Sequence, residues 1–137
     1  MPYSPLLIKP FRDEVVTVGV KELLTTEDVD NFFSNKKGTS LLFVNSVCGC
    51  AAGMARPAIR IVAGSDSKPD QIVSVFAGQD LEATARARSY FADIPPSSPS
   101  IALFKDGELV YFIPKHRIES RDAQSVANDL TAAIQDA

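Results

Sequence analysis

Apolar residues fall along this chain in two rhythms, short unbroken runs and a helical spacing, and their alternation lays out the elements. Thr25-Thr26-Glu27-Asp28 is a helix start, a threonine cap with acids in the first turn. Val29, Phe32 and Phe33 then recur at helical spacing until Lys37-Gly38 ends the element. Thr39 to Asn45 is apolar and β-branched, short enough to be one buried strand. Ala51 to Ala63 reads as a helix that Pro57 is expected to bend. A polar loop from Gly64 to Asp70 precedes a second strand, Gln71 to Ala77, closed by Gly78.

From Asp80 to Phe91, Leu81, Ala85, Tyr90 and Phe91 give a surface helix one apolar side, and it stops before Pro95-Pro96. Asp80 and Glu82 open that helix and read as structural, since acids suit its dipole. Ser98-Pro99-Ser100 leads into Ile101 to Phe104. An Asp106-Gly107 turn and Leu109 to Ile113 then complete a hairpin. A last helix runs from about Ser120 to Ile134, with Val126, Leu130 and Ile134 on one face. Met1 to Val20, with prolines at 2, 5 and 10, reads as an irregular or partly helical lead-in and is assigned no chemistry. The order is helix, strand, helix, strand, helix, strand, strand, helix. A strand–helix–strand crossover is parallel and a tight hairpin antiparallel, so the expectation is an α/β fold with a central mixed β-sheet flanked by helices.

Composition narrows the function classes. The chain has 137 residues, 45% of them hydrophobic, which fits one domain over 1–137. A net charge of −3 and the absence of any basic run argue against nucleic acid as a partner. No apolar run approaches the roughly 20 residues of a membrane span, and Met1 to Arg12 carries no secretory pattern, so the expected setting is the cytoplasm and no membrane.

Both cysteines lie in Cys48-Gly49-Cys50, where the first buried strand turns into a helix. Backbone N–H groups at a helix start favour a thiolate. In a cytoplasmic protein two cysteines point to transient, catalytic or sensing chemistry rather than a disulfide framework. A bridge between them closes a very small loop that constrains almost nothing in the unfolded chain, and a strained ring is easily reduced. Three uses stay open on spacing: exchange catalysis, a non-catalytic redox sensor, or simple burial as small hydrophobes. Zinc wants about four ligands, and the chain adds only His116 to the two thiols, so no metal site is expected within it.

The strand, cysteine turn and helix start, followed by a proline before a hairpin and a final helix, resemble the thioredoxin fold. A closer resemblance lies in Asn45-Ser46-Val47-Cys48-Gly49-Cys50-Ala51-Ala52-Gly53, Ala55-Arg56-Pro57-Ala58, Phe76-Ala77-Gly78-Gln79-Asp80, Pro96-Ser97-Ser98-Pro99-Ser100 and Phe112-Ile113-Pro114. These blocks are similar to the bacilliredoxin family, thioredoxin-like bacterial proteins with a Cys-Gly-Cys site, also described as disulfide isomerases. The departure from ordinary thioredoxins is the Cys-x-Cys spacing.

The resemblance implies removal of bacillithiol, a small thiol co-substrate, from mixed disulfides on client proteins, with no bound cofactor. The alternatives are a disulfide isomerase of the same fold acting on disulfide-containing clients, or a redox sensor. Carried over, Cys48 is the attacking and Cys50 the resolving thiol. Geometry agrees if Cys48, first in the turn, is exposed and Cys50 is covered by the helix start. Pro99 is expected to be the cis proline facing the cysteines, with Ser98 offering main-chain hydrogen bonds to an extended substrate. Gly49 frees the turn backbone, and Gly53 allows close approach to the helix start, unless it is a plain turn glycine. Arg56 is a candidate for holding a thiolate or an anionic substrate, against the plainer reading of an exposed, salt-bridged helical arginine. His116 is a candidate proton shuttle, against that of a surface histidine in a basic loop. Nothing in the sequence fixes an oligomeric state.

Overall fold

A computed structural model describes residues 3–35 and 37–137. Its elements are α1 (Pro5–Val16), β1 (Lys21–Glu22), α2 (Thr26–Ser34), β2 (Thr39–Asn45), α3 (Arg56–Ala63), β3 (Gln71–Phe76), α4 (Leu81–Ser89), β4 (Ser100–Lys105), β5 (Glu108–Ile113), α5 (Lys115–Ile118) and α6 (Ala123–Asp136). The five strands form one mixed sheet in the order β1-β3-β2-β4-β5. β2 pairs parallel with β3 and antiparallel with β4, and β4 pairs antiparallel with β5.

β2 lies at the centre with both faces covered, which is why its sequence is a continuous apolar run rather than an alternation. Its odd residues Leu41 and Phe43 pack with Ile59 and Val62 of α3 and Val126 and Leu130 of α6. Its even residues Leu42 and Val44 pack with Val29 and Phe33 of α2 and Ala83 and Ala87 of α4. The hairpin turn has Asp106 at φ 50° and Gly107 at φ 86°, the paired left-handed geometry that matches strand twist and that glycine accepts without strain. The predicted cap forms, with the Thr25 side chain accepting from Asp28 N at 3.0 Å, and an unpredicted one starts α6, where Asp122 Oδ1 accepts from Ser125 N at 2.7 Å, three residues later than the expected start at Ser120.

The lead-in is more ordered than its prolines suggested. Pro5 starts α1, where its fixed φ suits a helix and its missing N–H costs nothing. Ile8 and Val15, two turns apart, are buried. Arg12 then ties α1 to the sheet edge, reaching Glu22 at 2.8 Å and both oxygens of Asp80 at 2.8 and 2.9 Å. β1 and α5 left no sequence signal because two and four residues are too few to establish a period. The predicted bend at Pro57 takes another form. Ala51–Ala55 is a π-helical turn, and Pro57 falls in the first turn of α3, where a missing N–H is tolerated. The irregularity therefore precedes the proline, next to the cysteines.

Candidate active site

The site is built from the end of β2 outward. Asn45, the last residue of the strand, is buried. Its Oδ1 accepts from Ser46 N at 2.9 Å and from Arg56 Nη1 at 3.1 Å, and its Nδ2 donates to the Phe11 carbonyl at 3.3 Å. Ser46 places its hydroxyl 3.3 Å from Cys48 Sγ, to which it donates. The turn closes as Ala51 N and Ala52 N donate to the Cys48 carbonyl at 3.1 and 3.2 Å. Neither cysteine is in a disulfide, and the two sulfurs lie 2.8 Å apart in a hydrogen bond.

The two thiols are driven apart electrostatically. Burial pushes the Cys48 thiol up, but hydrogen bonds from Cys50, Ser46 and the backbone N–H groups of Ala51 and Cys50 outweigh it and hold Cys48 below its ordinary value. Burial also pushes Cys50 up, and there its hydrogen bond to Cys48 and the Cys48 charge add to it. Lys115 pulls the other way, and the balance sets Cys50 at about 11. Of the two sulfurs, Cys48 gives up its proton first and Cys50 holds its proton longer. The expected difference in cover is absent, since both cysteines are half-buried. Hydrogen bonding, not burial, distinguishes them.

Pro99 is buried, and the Ser98–Pro99 peptide is cis. Val44 pairs with Ser100 across β2 and β4, so the register continued by one or two residues sets Ser98–Pro99 beside Asn45–Ser46. The loop is pinned at Ser97. Its carbonyl accepts from Arg88 Nη2 at 3.1 Å and Ser100 Oγ at 3.0 Å, and its hydroxyl accepts from Lys115 N at 3.3 Å. Strand pairing therefore gathers Cys48, Gly49, Cys50, Ser98 and Pro99 at one end of the sheet.

Three expectations need correction. Arg56 is fully buried beneath the turn, with 0% of its surface exposed, so it is neither a surface arginine nor in reach of an anion bound outside. Gly49 and Gly53 are exposed, neither has a positive φ, and a Cβ on either meets nothing within 4 Å. The backbone does not require Gly49, whose effect is to leave the outer surface of the cysteine turn bare. His116 is exposed on α5, and it is the neighbouring Lys115 that acts on Cys50. Sequence reasoning passed over Asn45, Ser46 and Lys115. Ser46, two residues before a cysteine at a strand end, was the one signal available. Phe11, whose ring lies 4.7 Å from the Arg56 guanidinium, and Glu14, whose Oε1 is 3.2 Å from Arg56 Nε, had none.

Among the described residues no three His, Cys, Asp or Glu side chains come together as a metal site, and no helix is long and apolar enough to cross a membrane.

The family model described as "Disulphide isomerase" matches residues 3–137. A bacilliredoxin of Geobacillus kaustophilus is 52% identical over 133 residues, 96% of this chain and 92% of that protein. A bacilliredoxin of Salinibacter ruber is 50% identical, covering 98% of this chain and 81% of its own length. Among solved structures, a thioredoxin mutant from Halobacterium salinarum superposes with a TM-score of 0.58 at 18% identity, over 85% of this chain and 92% of that one. A Fasciola hepatica thioredoxin gives 0.58 at 16%, over 85% and 97%. At such identities these last two speak to the fold, which is that of thioredoxin. With two unequal thiols in contact on that fold and relatives of this similarity over nearly the whole chain, the protein belongs to the bacilliredoxin family of thiol–disulfide oxidoreductases.

Proposed function

We propose that this chain, acting as one domain in the cytoplasm, removes bacillithiol from mixed disulfides on client proteins, with Cys48 attacking and Cys50 resolving. The observation that carries the reading is the contact of the two sulfurs at 2.8 Å, with the Ser46 hydroxyl donating to Cys48 so that its thiolate is favoured while burial holds Cys50 as thiol. Of the two thiols, Cys48 is the one favoured as thiolate. It attacks the bacillithiol sulfur of the mixed disulfide, forming a Cys48–bacillithiol disulfide and releasing the client cysteine as thiolate. Cys50, once deprotonated, then attacks Cys48 Sγ and expels bacillithiol as thiolate, leaving a Cys48–Cys50 disulfide. Alternatively a second bacillithiol attacks the bound one, giving free Cys48 thiolate and oxidised bacillithiol. Either way atoms and electrons balance with small thiols as the only co-reactants.

The Ser98 main chain, beside the turn, is suited to bind the extended client. The bare surface at Gly49 lets the client approach. Lys115 favours the charged form of Cys50, so Lys115→Met is expected to slow release of bacillithiol from Cys48 about 2- to 5-fold, as loss of one partly screened charge implies. Rapid-quench thiol release measures it, and an unchanged rate sets Lys115 aside.

The description of the matched family favours a second reading, isomerisation of protein disulfides. That reaction needs Cys48 to attack and later be expelled, without net reduction. Two substrates separate the readings: a client carrying bacillithiol, and a scrambled multi-disulfide client. The proposal predicts that the first is restored, with wild type ending as a Cys48–Cys50 disulfide or passing bacillithiol on. If only the second reacts, isomerisation is the activity. If neither reacts and peroxide merely oxidises the pair, the site is a sensor.

A further inference from the structure

We propose that Arg56 is a positioning residue for the cysteine site, acting on Cys48 from beneath the turn through Asn45 and Ser46. The inference rests on Cys48 being the attacking thiol and adds how the protein holds it ready. Arg56 Nη1 donates to the Ser46 carbonyl at 2.7 Å and to Asn45 Oδ1 at 3.1 Å. The same Asn45 Oδ1 accepts from Ser46 N at 2.9 Å. Ser46 is thus held at both its N–H and its carbonyl, which leaves its hydroxyl aimed at Cys48 Sγ, 3.3 Å away.

The surroundings of Arg56 make a purely structural role a poor explanation. Its guanidinium has no exposed surface and lies 4.7 Å over the Phe11 ring. Nε is 3.2 Å from Glu14 Oε1, without the alignment of a hydrogen bond. Nη2 has no hydrogen-bond partner among the described residues. A buried cation satisfied this incompletely costs stability, and an apolar side chain of similar volume would pack there more favourably. What an apolar residue cannot do is hold two acceptors of one turn together. Of the charged groups on elements around the turn, Lys9 of α1 pairs with Asp13, Arg12 with Glu22 and Asp80, and Arg117 of α5 and the adjoining Arg121 with Asp129, while His116 is exposed, which leaves Glu14 of α1, Arg88 of α4, Lys115 of α5 and the Cys50 thiol to consider. Glu14 faces Arg56, Arg88 is engaged with the Ser97 carbonyl, and Lys115 acts on Cys50.

The test is the pH dependence of Cys48 alkylation by iodoacetamide, located by fragment mass, in wild type, Ser46→Ala, Arg56→Met and the double variant. Ser46→Ala is expected to raise the midpoint by about one to two pH units, the range for one hydrogen bond to a charged acceptor. Arg56→Met is expected to raise it by a similar amount, and the double variant by no more than the larger single shift. If Arg56→Met lowers the melting temperature but leaves the midpoint unchanged, or if the two shifts add, the proposal is overturned. Where Arg56→Met does not fold, Asn45→Ala, which removes the shared acceptor, carries the same expectation and the same contrary outcome. A wild-type midpoint at the ordinary thiol value would instead overturn the reading of Cys48 as attacking thiol. That outcome is distinct from failure of the Arg56 variants alone.

Discussion

Cys48→Ala is expected to lower the rate of the proposed bacillithiol removal by at least ~10³-fold, the scale on which losing a covalent nucleophile is felt, whereas Cys50→Ala is expected to stop the reaction one step later. The asymmetry follows from where the proton sits. Cys50, at about 11, is essentially all thiol at neutral pH and cannot stand in for a missing Cys48. Cys50→Ala keeps the bonds to Cys48 from Ser46 and from Ala51 N–H, so attack proceeds. The adduct then persists until a second small thiol removes it. Intact mass after mixing with a bacillithiolated client reads both. The expectation is one bacillithiol trapped on Cys50→Ala and none on Cys48→Ala. An adduct on Cys48→Ala reverses the assignment.

Capping Cys48 is expected to switch on Cys50. Three causes push the Cys50 thiol up: burial, its hydrogen bond to Cys48, and the Cys48 charge. When Cys48 enters a mixed disulfide, the last two vanish and Lys115 remains. The Cys50 midpoint therefore falls from about 11 toward the ordinary thiol range. Each unit of fall gives tenfold more thiolate at pH 7. Nucleophilicity drops alongside with a Brønsted slope near 0.5, so the net gain is about threefold per unit and roughly tenfold for two. Mixed disulfide formed at low pH and released by a pH jump measures this step. Its rate is expected to level off well below pH 11, and a rate still climbing there contradicts the account. In the proposed mechanism the order of events is then built into the site, with Cys50 expected to ionise after Cys48 has reacted.

The sequence carried the sheet because β2, buried on both faces, is an unbroken apolar run, and because Asp106-Gly107 has few uses other than a hairpin turn. The cysteine turn was legible for the same reason, as it sits where that run gives way to a helix. What surrounds it was not. Phe11, Glu14, Asn45 and Arg56 meet across distant parts of the chain, and no local period reports that α1 packs against the end of β2. Arg56 misled because an arginine in a helix is usually solvated, and only tertiary packing shows this one enclosed. The π-helical turn Ala51–Ala55 was hidden by a helix-like pattern of small residues, with Pro57 displaced from bend to helix start. Lys115 was overlooked beside His116 because four residues leave no helical signature.

The central claim is that the two adjacent thiols are unequal in ionisation, and site-resolved alkylation of the wild type tests it most directly. At pH 7 a thiol at about 11 is ~0.01% thiolate, while Cys48, held below its ordinary value by its hydrogen bonds, is the more ionised of the two. The greater nucleophilicity of the more basic thiolate offsets part of that excess, leaving an expected preference for Cys48 of at least ~10-fold. Limiting iodoacetamide followed by fragmentation of the peptide containing both residues should place the label on Cys48 by at least that margin. Equal labelling, or a preference for Cys50, contradicts the account.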